Sequence, residues 1–427
     1  MRKSTVGLIV LGSLALAGVI GAASLTEKPA VPVIRISVEM IRLDAVVTDK
    51  KGRHVTDLSP TDFEVRQDGK VQPVSSLVYY RTTADPAPKA GTTVPAAAPA
   101  VGAPSVAAEA TQLAPLTVVF VVDDLGLGTD SFVQMRRALK HTIQHLAPTD
   151  RVAFVSTAKG FSSLTPTTDR KANLAAVDAL RRTPWTRDDL AMLGTPESTF
   201  FRLQNSGTRY DGGTFDDWNS RLALQSLAVI KMTIKELKPL PGRKAVLLMS
   251  EGFSGLTSLG GSQVHDIYWP LDRLYGDADD VLGAVKRLAD FSARAAVVIH
   301  AIDPRGLVTA GISASDSVPD ATTPGRLADL GLSRRIVLQH SQATLEQLAD
   351  ETGGLAVLNT NDTSGAVSSI LGDLSGYYLI GYEPGPQTFT SGIFHDVDVK
   401  VKRPGLKVRT RKGFYAVTDD QVAGALR

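Results

Sequence analysis

Val118-Val119-Phe120-Val121-Val122-Asp123-Asp124-Leu125-Gly126-Leu127-Gly128 is the stretch that decides the fold. Five consecutive apolar, mostly β-branched residues read as a strand buried on both faces. The strand ends in two carboxylates and a glycine-containing loop. Phe132, Met135, Leu139, Ile143 and Leu146 then recur at helical spacing, predicting a helix near 130–146.

The same alternation continues downstream. Apolar strands are expected at 117–123, 151–157, 244–250, 296–303 and 355–359. Amphipathic helices are expected near 170–181, 217–238, 279–294, 341–351 and 364–375. Buried strands alternating with helices predict an α/β fold with a doubly wound, mainly parallel sheet covered on both faces. Insertions rich in loop residues interrupt it at about 183–215, 254–278 and 304–338.

The flanks read differently. Ile34, Ile36, Val38 and Met40 alternate with polar residues, then Ile41, Leu43, Ala45 and Val47 alternate in the opposite phase, which predicts a bulge or bend at Met40-Ile41. Asp68-Gly69 between Val65 and Val71 is a hairpin signal. Residues 31–81 therefore form a small, sandwich-like β module. Residues 82–114 are mostly Ala, Pro, Thr, Gly and Val, a composition expected for a flexible linker. An α/β domain spans 115–383, a β-hairpin extension turning at Pro404-Gly405 spans 384–416, and 417–427 is a tail.

Composition narrows the function. The chain has 427 residues, 43% of them hydrophobic, a formal net charge of +2 and no cysteine. Disulfides, thiolate metal sites and cysteine nucleophiles are excluded. A near-neutral charge without a basic helix argues against a nucleic-acid partner. Arg2-Lys3, an apolar run from Val6 to about Leu25, and Gly21-Ala22-Ala23 near its end read as a secretory signal over 1–25. Left uncleaved, the run is long enough to act as a membrane anchor. Either way the body of the protein is expected outside the cytoplasm, secreted or in the periplasm or cell envelope.

In order and spacing, several further segments join the opening one. They include Asp62-Phe63-Glu64-Val65, Pro241-Gly242-Arg243-Lys244 before Ser250-Glu251-Gly252-Phe253, Ala301-Ile302-Asp303-Pro304-Arg305-Gly306, Tyr377-Tyr378-Leu379-Ile380-Gly381-Tyr382 and Arg403-Pro404-Gly405-Leu406. Over roughly 31–416 the chain resembles secreted bacterial proteins with a von Willebrand factor A (VWA) related domain. The resemblance implies a VWA/Rossmann-like sheet with a metal-ion-dependent adhesion site. In that family the first loop reads Asp-x-Ser-x-Ser. Here Asp123 stands in place, but Leu125 and Leu127 replace both serines. The surviving candidate ligands are Asp123, Thr214 of Gly212-Gly213-Thr214, and Glu251, with Asp124 and Asp211 as auxiliaries. They imply no cofactor, or a weakly bound Mg²⁺ or Ca²⁺.

Other motifs carry less. Gly126-x-Gly128-x-x-Ser131 lacks the third glycine of a dinucleotide loop and follows two carboxylates that repel a pyrophosphate. His141 and His145 lie four apart on a helix without a third ligand. No nucleophile elbow is present. Lys400, Lys402, Arg403, Lys407, Arg409 and Arg411 form a basic stretch that reads as a solvated sheet face or a contact for an anionic surface. The expected function is a non-enzymatic, exported interaction protein that meets a protein or cell-envelope partner through its loop face, with Trp185, Trp218 and Trp269 as anchors. The alternatives are a metal-assisted enzyme using the same crevice and a purely structural envelope component.

Overall fold

A computed structural model describes residues 40–82, 109–113, 116–183, 213–253, 271–309, 324–385, 388 and 393–415. Of these, 109–113, 213–218, 271–280, 324–330, 333 and 415 are described by backbone alone. The expected signal at 1–25, Ile34, Ile36, Val38, Trp185 and Trp269 lie outside the described residues. No helix among the described residues is long and apolar enough to cross a membrane.

The chain opens with β1 (Ile41–Thr48), β2 (Phe63–Gln67), β3 (Lys70–Gln72), β4 (Val74–Arg81) and β5 (Glu109–Leu113). Then come β6 (Leu116–Val122), α1 (Thr129–His145), β7 (Arg151–Ser156), α2 (Arg170–Asp178), α3 (Gly213–Leu237), β8 (Arg243–Met249), α4 (Leu271–Arg294) and β9 (Val297–Ile302). The rest are α5 (Pro324–Thr352), β10 (Ala356–Val357), α6 (Thr363–Leu374), β11 (Gly376–Tyr382), β12 (Phe394–Val401), β13 (Lys407–Arg409) and β14 (Gly413–Tyr415).

Strands β10-β9-β8-β6-β7 form one five-stranded sheet whose neighbours are all parallel. Every residue of β6, β8 and β9 is buried, as strands covered on both faces must be. On one face Val119, Val121, Val246 and Ile299 pack with Leu227 and Ile230 of α3, Val285 of α4 and Leu348 of α5. On the other, Val118, Phe120, Val122 and Leu247 pack with Met135 and Leu139 of α1, Val177 of α2 and Ile370 of α6. Each such apolar side chain contributes roughly 1.5–3 kcal/mol on full burial. This is a doubly wound α/β fold of the VWA/Rossmann-like kind. Taken in chain order, the strands lie 2-1-3-4-5, so the winding reverses between β6 and β8, where open α/β sheets bind ligands at the strands' carboxyl ends.

The remaining strands form two facing sheets, β13-β1-β11-β4-β5 and β14-β12-β2-β3. Ile41, Leu43, Leu77, Ile380 and Tyr382 of the first pack against Phe63, Val65, Val397 and Val399 of the second. Tyr378 sits between Phe63 and Tyr79 with edge-on ring contacts at 5.4 and 4.9 Å, and its hydroxyl accepts from Leu58 N–H at 3.0 Å. Asp68 (φ 50°) and Gly69 (φ 76°) close the expected β2–β3 hairpin with left-handed backbone at both turn positions.

Several expectations change. Strand β11, which falls inside the expected 115–383 domain, pairs between β1 and β4 rather than in the parallel sheet. Beyond Pro404-Gly405 the chain changes sheets: β12 pairs with β2 and β14, while β13 pairs with β1. The end of the expected linker is a strand, since β5 pairs in parallel with β4 and covers its edge. Helices claim parts of the insertions as well, because α4 begins at Leu271 and α5 at Pro324. Residues 184–212, 254–270 and 310–323 lie outside the described residues.

Candidate functional site

The carboxyl ends of β6, β7, β8 and β9 bring Asp123-Asp124, Ser156-Thr157, Ser250-Glu251 and Asp303 to one edge of the sheet. Parallel register puts them side by side: Val122 lies opposite Ser156 and Met249, and Met249 opposite Ile302. Asp123 is fully buried and Asp124 nearly so. A buried carboxylate needs donors for its lone pairs, and here hydroxyls supply most of them.

Asp123 Oδ1 accepts from Ser226 Oγ at 2.6 Å and Thr157 Oγ1 at 3.1 Å. Its Oδ2 accepts from Ser250 Oγ at 2.6 Å. Asp124 Oδ2 accepts from Ser156 Oγ at 2.6 Å, and Oδ1 from Ala158 N–H at 2.8 Å and Thr157 Oγ1 at 3.1 Å. The Asp123 carbonyl turns the loop by accepting from Gly126 N–H at 2.8 Å and Leu127 N–H at 3.0 Å. Glu251 reaches across to the start of α1, where its Oε1 accepts from Gly128 N–H at 2.9 Å. A carboxylate at a helix N-terminus stabilises by about 0.3–1 kcal/mol.

A second knot lies beside the first. Arg305 grips the buried Asp303 in a fork, Nε to Oδ1 at 2.9 Å and Nη2 to Oδ2 at 2.7 Å. The same Nη2 donates to the Glu251 carbonyl at 2.8 Å and to Ser341 Oγ at 3.1 Å. Gln342 Nε2 adds a bond to Asp303 Oδ2 at 3.1 Å. Strand ends β8 and β9 are thereby tied to α5.

A family-type cation needs oxygens free to coordinate it. Asp123 Oδ1 already takes two hydroxyls and Oδ2 a third, while Glu251 Oε1 serves α1. Leu125 and Leu127 are buried, and Leu127 belongs to the core cluster with Met135 and Leu139. Among the described residues no group of three His, Asp or Glu side chains is placed to hold a metal ion. Thr214 lies in the first turn of α3 rather than in a loop, because the helix begins at Gly213; Asp211 lies outside the described residues.

Sequence reading brought Asp123, Asp124 and Glu251 to this edge and missed Ser156, Thr157, Ser226, Ser250, Asp303 and Arg305 as participants. Hydroxyls or carboxylates directly after four predicted strands were the available signal. Ser226, inside a helix, gave none. His141 and His145 are exposed on α1, with His145 Nδ1 against the His141 carbonyl at 2.8 Å.

The basic stretch is split. Arg403 forks onto Asp57 at 3.0 Å, Lys400 pairs with Asp398 at 3.3 Å, and Lys402 donates to the Thr61 carbonyl at 2.9 Å. Lys407 is exposed. Arg409 and Arg411 instead turn inward, to Asp373 and to the carbonyls of Ala293 and Arg42. The six charges do not form one solvated face.

No protein-family model matches this chain, and no curated protein matches it. Among solved structures it is similar to an aerotolerance-related membrane protein from Bacteroides fragilis, with a TM-score of 0.32, 10% identity, and coverage of 61% of this chain and 98% of that one. It is also similar to the human COPII-coat protein Sec24c, with a TM-score of 0.27, 8% identity, and coverage of 71% of this chain and 44% of that one.

Proposed function

We propose that this chain is a non-enzymatic interaction protein that meets a protein or cell-envelope partner, outside the cytoplasm, through the loops at the carboxyl edge of its parallel sheet, without a bound cation. The observation that carries this reading is the pairing of a locked interior with an apolar rim. Asp123, Asp124 and Asp303 are buried and bonded to hydroxyls or Arg305, and half-buried Glu251 accepts from Gly128 N–H. On the loop after β9, Leu307 is 67% exposed and Val308 40%. That loop is held in place: Leu307 N–H donates to Asn361 Oδ1 at 2.9 Å, and Gly306 has φ 77°. Exposed apolar side chains on a pinned loop favour binding, because little entropy is lost on docking. Export rests on the N-terminal sequence.

The test places a photo-crosslinking amino acid at Leu307 in the producing cells. A discrete protein or envelope adduct that survives chelation supports the reading. Absence of any adduct, or its loss on chelation, overturns it.

A further inference from the structure

The opposite edge of the sheet holds a different feature. Where β8 and β9 begin, the α/β layer meets β1 and the segment after β13 around a cavity of about 40 Å³. Arg42, Asp44, Arg243, Arg409, Arg411 and Gly353 are among the residues lining it. Four guanidinium groups around one small space require an explanation, since buried charges are ordinarily paired.

Each inner arginine is pinned. Arg243, 3% exposed, donates Nη1 to the Gly376 carbonyl at 3.3 Å and lies over the Tyr377 ring at 4.6 Å. Arg411 donates Nη1 to the Ala293 carbonyl and Nη2 to the Arg42 carbonyl, both at 2.8 Å. Arg409 donates Nε to the Gly353 carbonyl at 3.0 Å and pairs with Asp373. These bonds are to neutral carbonyls, save one. The Nε–H groups of Arg243 and Arg411, sealed from solvent, have no hydrogen-bond partner among the described residues, so the charge these side chains carry is not fully met by neighbours. Burial also pushes both guanidinium groups below their ordinary pKa, with Asp44 acting in the opposite direction. Arg243, Arg409 and Arg411 face Asp44 and Asp373, leaving one positive charge in excess, and exposed Arg42 adds another at the mouth.

We infer that this cavity is a binding site for a single small oxyanion group, of the phosphate or sulfate class. Rigid guanidinium groups that together carry an excess of positive charge are suited to such oxygens. Size sets the limit: one water needs about 10–15 Å³ of such space, so the cavity admits one tetrahedral group and no nucleotide. Asp44 is the one carboxylate in the lining and opposes the anion.

The experiment is calorimetric and thermal titration of the full chain with inorganic phosphate, sulfate and glycerol 3-phosphate, against chloride at matched ionic strength. Saturable stabilisation by phosphate and sulfate is expected. Arg42→Ala, at the exposed mouth, should weaken binding by about tenfold, and Asp44→Asn should tighten it. Glycerol 3-phosphate binding as well as phosphate would identify the end group of a larger molecule as the ligand; its exclusion would identify the free ion. A thermal shift no larger than chloride gives, or an affinity indifferent to both substitutions, would mean that the cavity holds only water and would overturn the proposal.

Discussion

Ser226 Oγ donates to Asp123 Oδ1 at 2.6 Å, joining the middle of α3 to the end of β6 across 103 residues of chain. With Thr157 and Ser250 it surrounds one buried carboxylate with hydroxyls from α3 and from the ends of β7 and β8. A carboxylate so placed fastens the switch point of the sheet together. Its role is then structural, and structural roles are read in stability.

Asp123→Ala should therefore destabilise the protein with or without cation. It removes the acceptor of the buried Ser226 and Ser250 hydroxyls, while Thr157 keeps Asp124, and each orphaned polar group costs about 1–3 kcal/mol. Ser226→Ala should cost about 1–3 kcal/mol, and the two changes should be strongly non-additive. Urea unfolding of the two single variants and the double variant measures this. A folded Asp123→Ala protein of unchanged stability would return the residue to a ligand role.

Placing serines at 125 and 127 should not create a cation site. Leu127 is fully buried among the α1 core residues, so Leu127→Ser removes apolar burial at a cost of about 2–5 kcal/mol. The Leu125→Ser, Leu127→Ser variant is expected to unfold at lower denaturant and to give no heat with Mg²⁺ or Ca²⁺. Saturable Mg²⁺ binding by that variant would show that the loop kept its coordinating geometry.

The α/β layer was legible because full burial leaves an unbroken apolar run, as in Val118–Val122, and amphipathic helices leave a period. The two-sheet sandwich was less so. Tyr377-Tyr378-Leu379-Ile380 reads equally as a strand of either sheet, and nothing local says that β11 lies between β1 and β4. At the site, Asp123 was legible as a strand-end carboxylate. Its partners were not, since the Ser226 hydroxyl meets it only through the packing of α3 on the sheet.

Gly252 should be intolerant of any side chain. Its φ is 89°, and an added Cβ would lie 2.0 Å from the Ser341 carbonyl oxygen of α5. Gly252→Ala combines left-handed strain with a backbone clash beside the Arg305–Ser341 bond. A loss of about 3 kcal/mol or more is expected, from strain of 1–3 kcal/mol plus the displaced contact. Denaturant midpoints check it, with Gly372→Ala, where an added Cβ meets nothing within 4 Å, as the control substitution.

Acid should destabilise the fold through His300. The ring is fully buried on β9, and Nδ1 accepts from Leu355 N–H at 3.1 Å. Burial pushes its pKa down to about 3, with Arg409 and Arg243 acting the same way and Asp373 opposing them. Between about pH 6.5 and 3 the unfolded state binds a proton that the folded state refuses. Stability therefore rises with pH across that window. The contribution is fully present above the unfolded pKa and is lost as pH falls toward the folded one. Over the window from about pH 6.5 to about 3 its full extent is roughly 5 kcal/mol, at about 1.36 kcal/mol per pH unit. His300→Asn keeps an acceptor for Leu355 N–H and removes the titration. Its stability should be flatter than the parent's between pH 6.5 and 4 by urea unfolding; equal slopes would mean that His300 is not the acid-sensitive group.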